Sequence, residues 1–444
     1  MSANSSEETV LTAGASREAN GNRLESRNVI AGASAKESLA IALLSYRGNP
    51  FCGGQGVYAR QLSSALNDLG HRVTVVTGPP YPSLDEGVDE VRLPSLDLYR
   101  PGDPFRPDRE IQNWIDAAEF GIMCTAGYPE PLTFSLRAWR YLRGHSGDFD
   151  VVHDNQCLGY GLLLAARSFP VVATVHHPIS VDRRLELAQA PWKRRMGLRR
   201  WYHFVGMQGR VARRLSGIIT VSQSARDEIK REMRVTRPRV AVIPNGVDHE
   251  RFRPLPSVRR IRGRIVTTAS ADIPLKGLSH LLEAVAILRR SHCVELVVIG
   301  QPRPDGQVSR MLKRRELAAS VKFVHGIDES ALVAIYAEAE VAVVPSLYEG
   351  FSLPALEAMA CGVPVVATSA GALPEVVGQD GEAGLIVPPA DPTALAGAIR
   401  RLLDDPGLRS RIGACGRLRA ERLFSWKDAA RKTAAEYRRV LAGC

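Results

Sequence analysis

From Leu39 onward, short apolar segments rich in β-branched residues alternate with amphipathic helical segments, and this alternation constrains the fold of the 444-residue chain more than any other feature. The pattern opens with LAIALLSY and the glycine-rich GNPFCGGQG. A helical stretch follows, with Tyr58, Leu62, Ala65, Leu66 and Leu69 on one face, ended by Gly70 and then by RVTVVTG. Strands that are apolar throughout, rather than at alternate positions, are buried on both faces, as in parallel sheets flanked by helices. Further strands are expected at 150–153, 171–175, 217–221 and 240–243. A second series follows the proline-punctuated PNGVDHERFRPLP, at 264–268, 294–300, 321–324, 341–345 and 363–367. The reading is an α/β chain of two doubly wound domains joined near 245–262, with a site in the cleft at the carboxyl ends of the strands. Residues 78–149, where proline, aspartate and aromatic residues accumulate, read as excursions from the first domain. Residues 1–36, polar and without periodicity, read as a disordered tail.

Composition narrows the function classes. A net charge of +11 points to an anionic partner without selecting among nucleic acid, a membrane surface and a phosphorylated small molecule. No apolar run reaches the roughly 18–20 residues of a membrane span, and the first 36 residues lack a secretion signal, so a cytoplasmic location is expected. The seven cysteines are scattered and never in C-x-x-C spacing; they read as reduced thiols, mostly filling core.

The segment PSLYEGFSLPALEAMACGVPVVATSAGALPEVV carries the chemistry. A strand ends at Pro345, a loop holds Glu349 and Gly350, and Pro354 suits the first turn of a helix that also carries Glu357. Two carboxylates thus bracket one helix N-terminus, whose unpaired N–H groups and positive dipole suit a phosphate. An ionised glutamate accepts two hydrogen bonds from a vicinal diol. The arrangement matches a nucleotide sugar: sugar hydroxyls, diphosphate, ribose diol.

These residues resemble the E-x(7)-E signature of the family 4 (group 1) retaining glycosyltransferases, which have the GT-B fold of two facing Rossmann-like domains. The resemblance spans nearly all of 39–440 and includes Gly53 and Gly54, TVH ending at His176, TVSQSARDEI, IPNGVDHERF, PLKG with Lys276, and GALPEVV with Glu375. It implies an acceptor domain at 37–250, a donor domain at 251–424 and a terminal helix, 425–444, that crosses back onto the first domain. Glu349 would contact hydroxyls of the transferred sugar, Glu357 the ribose, and His176 the reacting sugar. Lys276 would neutralise the leaving diphosphate, with N–H groups of Gly53, Gly54, Gly350, Phe351, Ser352 and Leu353 around it; no metal or other cofactor is required. One position departs from the family, which usually has arginine six residues before the lysine. Here Ser270 stands there, leaving Arg303 of the GQPRP loop as a candidate replacement cation.

The implied reaction moves a hexose from a nucleotide diphosphate sugar to a carbohydrate, lipid-linked or small-molecule acceptor. An epimerase of nucleotide sugars or a glycan phosphorylase on the same fold is the alternative. Asp148-Phe149-Asp150 mimics a metal-binding D-x-D motif but precedes a strand, where it reads as turn chemistry. Residues 183–214 hold ten Lys or Arg against one acid, interleaved with Trp192, Trp201, Tyr202 and Phe204; the stretch reads first as a solvated helical surface, with docking on an anionic membrane face and binding of an anionic acceptor as the alternatives. No nucleic-acid motif accompanies the charge, and no nucleic-acid partner is expected.

Overall fold

The computed structural model describes residues 38–48, 54–97, 110–269, 273–304 and 306–443. Gly53, Ser270 and the tail 1–36 lie outside the described residues. Among the described residues, the strands build two wholly parallel sheets. The first contains β1 (Ala40–Ser45), β2 (Arg72–Thr77), β3 (Asp89–Arg92), β4 (Val151–Asn155), β5 (Val171–Val175), β6 (Gly217–Thr220) and β7 (Val240–Val242), in spatial order β3-β2-β1-β4-β5-β6-β7. The second contains β8 (Arg264–Thr268), β9 (Glu295–Ile299), β10 (Val321–Val324), β11 (Val341–Val344), β12 (Val365–Thr368) and β13 (Gly384–Val387), in order β10-β9-β8-β11-β12-β13. Each sheet reverses its winding once, between β1 and β4 and between β8 and β11. Parallel α/β sheets bind ligands at such switch points.

The central strands are apolar because helices cover both faces. Leu39, Ile41 and Leu43 pack with Tyr58, Leu62 and Leu66 of the helix Gly54–Asp68 and with Trp426, Ala430 and Tyr437 of the final helix Trp426–Ala442. That final helix therefore lies on the first sheet. The chain crosses itself where residues 245–247 meet 424–426: Val247 N donates to Phe424 O (3.1 Å). A Cβ on Gly246 would stand 2.1 Å from Trp426 N, so only glycine fits the crossing.

Several details differ from expectation. β4 runs past the expected 150–153 through Asn155, so His153, Asp154 and Asn155 are fully buried strand residues. The span 78–149 is more regular than its composition suggests, holding β3 and the helices Trp114–Cys124 and Glu130–Gly144. Of the five described cysteines only Cys157 and Cys361 are buried, while Cys124, Cys293 and Cys415 are exposed. Asp150 of the D-x-D look-alike accepts from Ala40 N (2.8 Å) at the amino ends of β1 and β4, opposite the cleft. The basic stretch spans three helices. The middle one, Trp192–Trp201, has no buried residue and exposes Trp192 and Met196 by 75% and 78%. Among the described residues, no helix is long and apolar enough to cross a membrane.

Candidate active site

The site forms where the start of the helix Gly54–Asp68 and the loops leaving β5 and β6 meet the 3-10 turn Pro274–Lys276 and the loops leaving β11 and β12. Its centre is Glu349, in the loop after β11 and only 9% exposed. Its Oε1 accepts from Lys276 Nζ (2.9 Å) and Ser346 Oγ (2.7 Å), and its carbonyl accepts from Ala372 N (2.9 Å). Two glycines make this arrangement possible. Gly277 (φ +65°) ends the 3-10 turn that carries Lys276, and a Cβ there would stand 1.9 Å from Pro345 O. Gly371 (φ +57°) passes so close that a Cβ would stand 2.1 Å from Glu349 O. Lysine and glutamate are thus fixed to each other by backbone packing before any substrate arrives.

The helix Leu353–Ala360 opens directly after this loop. Pro354 occupies its first turn, and Ser352 caps it in a left-handed conformation (φ +89°), which for a non-glycine residue costs about 1–3 kcal/mol and recurs at ligand sites. Among the described residues, the N–H groups of Phe351, Ser352 and Leu353 have no hydrogen-bond partner. A Cβ on Gly54 would stand 3.8 Å from Leu353 Cδ1, so the start of the helix Gly54–Asp68 faces the start of the helix Leu353–Ala360 across the cleft. Two positive helix ends, one from each sheet, therefore converge beside Lys276.

Glu357 sits one turn into the second of these helices. Its Oε2 lies 3.4 Å from the hydroxyl of the buried Tyr336, which also reaches Thr268 Oγ1 (3.2 Å) at the end of β8. Desolvation pushes the Glu357 carboxyl up to about 7, because a single long hydrogen bond compensates the ionised form poorly.

Opposite, His176 follows β5. Its Nε2 lies 2.7 Å from Asn155 Oδ1, its backbone N donates to Gln156 Oε1 (2.7 Å), and its ring meets the Tyr58 ring edge-on at 4.7 Å. Asn155 Nδ2 donates to Gln55 O (3.1 Å), which assigns Oδ1 as the acceptor. Burial, assisted by His177 and His153, pushes His176 down to about 3. It is therefore neutral, donates from Nε2, and leaves Nδ1 as a lone pair.

The two halves touch through specific contacts. A Cβ on Gly350 would stand 2.6 Å from His176 O, and Ser222 Oγ donates to Gly350 O (2.8 Å). Glu375 accepts from Gln223 N (2.8 Å) and Ser224 N (2.7 Å), capping from the second sheet a helix that belongs to the first. The structure thus brings Glu349, Lys276, His176, Gly54, Gly350, Phe351, Ser352, Leu353 and Glu357 to one cleft. Sequence reasoning missed Gln156, which holds the His176 backbone, and Tyr336 beside Glu357. Their polarity inside apolar surroundings was the available signal.

The chain is similar to known proteins over most of its length. The model described as "Glycosyl transferases group 1" matches residues 259–419, and "Glycosyltransferase Family 4" matches residues 52–251. The MMP alpha-(1->4)-mannosyltransferase of Mycolicibacterium hassiacum is 52% identical, covering 91% of this chain and 99% of its own. A glycogen synthase of Mycobacterium tuberculosis is 30% identical over 90% of this chain and 94% of its own. Among solved structures, sucrose-phosphate synthase from Thermosynechococcus elongatus superposes with a TM-score of 0.70 at 26% identity, covering 92% of this chain and all of its own.

Proposed function

The chain belongs to the family 4, group 1 glycosyltransferases, and from that premise we propose that it moves a hexose from a nucleotide diphosphate sugar to an acceptor hydroxyl, with retention at the anomeric carbon. The observation that carries this reading is the convergence of two helix N-termini beside the Lys276–Glu349 pair. The diphosphate lies against the N–H groups of Phe351 to Leu353, and Lys276 takes the charge that grows on it as the glycosidic bond breaks. Glu349 accepts from hydroxyls of the transferred sugar, and Glu357 accepts from the ribose diol in its ionised form. Neutral His176 faces the sugar from the other side, where the acceptor enters over the first domain. The leaving phosphate takes the acceptor proton on the same face, so neither a protein nucleophile nor a metal is part of this scheme. The enzyme works in the cytoplasm. The exposed helix Trp192–Trp201, with its cations and Trp192, is where it meets an anionic membrane face if its acceptor is lipid-linked.

A thermal-shift panel of nucleotide sugars and free nucleoside diphosphates tests the reading. A donor bound only by the folded state raises the melting temperature with ligand concentration, and adding an acceptor then releases nucleoside diphosphate stoichiometrically. A panel with no stabilising nucleotide contradicts the proposal. Isomerised donor without release of nucleoside diphosphate points to an epimerase.

A further inference from the structure

We propose that His177, paired with Asp182, is a second cation of the donor site and shares with Lys276 the charge of the diphosphate. The inference rests on the donor-site reading above and adds to it a residue that the glycosyltransferase motifs do not include.

The need comes from the Lys276–Glu349 contact. At 2.9 Å the ammonium is already committed to a carboxylate, so its charge is partly neutralised before a diphosphate arrives. The position six residues before Lys276, Ser270, adds no charge. His177 is placed to make up the difference. It leaves β5 at the cleft with its carbonyl held by Gln156 Nε2 (3.0 Å), and its Cβ lies 3.1 Å from where a Cβ on Gly350 would stand. Gly350 immediately precedes the unpaired N–H groups of 351–353. The ring packs edge-on against Tyr348 at 5.8 Å, and its Nε2 meets Asp182 Oδ2 at 2.8 Å. Among the described residues Nδ1 has no hydrogen-bond partner, and the side chain is 31% exposed.

The charged and titratable surroundings favour the imidazolium. Burial alone pushes His177 down, but the hydrogen bond and charge of Asp182, in the first turn of the helix that follows, outweigh that and hold it above the ordinary histidine range. From the facing loops, Lys276 opposes the proton and Glu349 favours it. Tyr348 gives its hydroxyl to Glu228, and the neighbouring His176 is neutral. With Nε2–H committed to Asp182, an imidazolium has Nδ1–H left to donate to a phosphate oxygen.

A purely structural role is the competing account, since Pro178 leaves the helix Ile179–Gln189 without a side-chain cap and the His177–Asp182 bond ties down its first turn. Binding of UDP and GDP to the intact chain, measured calorimetrically between pH 6 and pH 9 for wild type, His177→Gln and Asp182→Asn, separates the two. The ratio of wild-type to H177Q affinity cancels the titration of the nucleotide and of Glu357, which occurs in both. We expect that ratio to be about tenfold at pH 6 and to fall to within about twofold at pH 9 for whichever nucleotide binds. D182N is expected to weaken binding progressively at lower pH than wild type, because His177 then deprotonates sooner. Uridine and guanosine, which lack phosphate, are expected to bind H177Q as they bind wild type. A ratio independent of pH, or an equal loss for the nucleosides, overturns the proposal. If neither of these nor any other nucleoside diphosphate of the thermal-shift panel binds wild type, the donor-site reading falls and takes this inference with it.

Discussion

Replacing Glu357 by glutamine should make the protein more stable and the enzyme worse, and the size of the gain follows from the structure. The Glu357 carboxyl has a value of about 7 in the folded chain against 4.5 for an ordinary glutamate, because burial beside Tyr336 penalises its charge. Below about pH 4.5 both states hold the proton and the residue is neutral in its effect. Between 4.5 and 7 the folded state retains a proton that the unfolded state has released, so stability declines as pH rises, and above 7 the deficit is complete. That gap corresponds to about 3 kcal/mol at pH 8. Glutamine has nearly the same shape, can still accept from the Tyr336 hydroxyl, and carries no charge to desolvate. For a domain of this size the gain amounts to an increase on the order of 5–10 °C in melting temperature at pH 8, shrinking toward zero near pH 4.5. Melts of wild type and E357Q across that pH range, without ligand, measure it. The same variant should bind the donor at least about tenfold more weakly at pH 8, where a diol meets an amide instead of a carboxylate. An E357Q protein that is less stable than wild type at pH 8, or a difference that does not change with pH, would show that the buried Glu357 charge does not limit stability.

Three further outcomes are expected. Glu349→Ala should abolish transfer while nucleoside diphosphate affinity stays within a few-fold of wild type, since the residue touches the sugar rather than the nucleotide; full activity in that variant excludes the assigned role. Gly371→Ala must displace either the left-handed backbone (φ +57°) or Glu349 O, 2.1 Å from the new Cβ. Steady-state kinetics should show a drop in kcat of about 100-fold from the misplaced carboxylate. Tyr437→Phe leaves the fully buried His153 Nδ1 without the hydroxyl now 2.5 Å away. Denaturant melts should register a loss of about 1–3 kcal/mol.

Much of the architecture was legible because buried parallel strands have a compositional signature. VVATV at 171–175 and RIVTT at 264–268 are strands with the bounds read from sequence, since helices on both faces force every position to be apolar or β-branched. β3 escaped notice because it is an edge strand, and Asp89-Glu90-Val91-Arg92 faces partly into solvent. β13, Gly384–Val387, is four residues long and follows a glycine-rich turn, so it offers too little pattern. In the site, Glu349 and Glu357 were legible because their spacing around Pro354 places both at one helix start. Contacts that depend on tertiary approach were not. Nothing in the spacing of Glu375 reveals that it caps a helix 150 residues earlier in the chain, and nothing around Asn155 shows that it orients His176. Glycines 277, 350 and 371 sit inside recognisable segments, yet their necessity comes from the atoms they approach, which only the folded structure supplies.

Transfer of a hexose from a nucleotide diphosphate sugar with its anomeric configuration kept is decided by NMR of the product formed from the stabilising donor, followed from the first turnovers. One nucleoside diphosphate should be released per new glycosidic bond, with an anomeric coupling constant matching that of the donor, and both signals should be lost in the Glu349→Ala protein. A product of inverted configuration would contradict the mechanism, and glycosidic bond formation undiminished by that substitution would contradict the site.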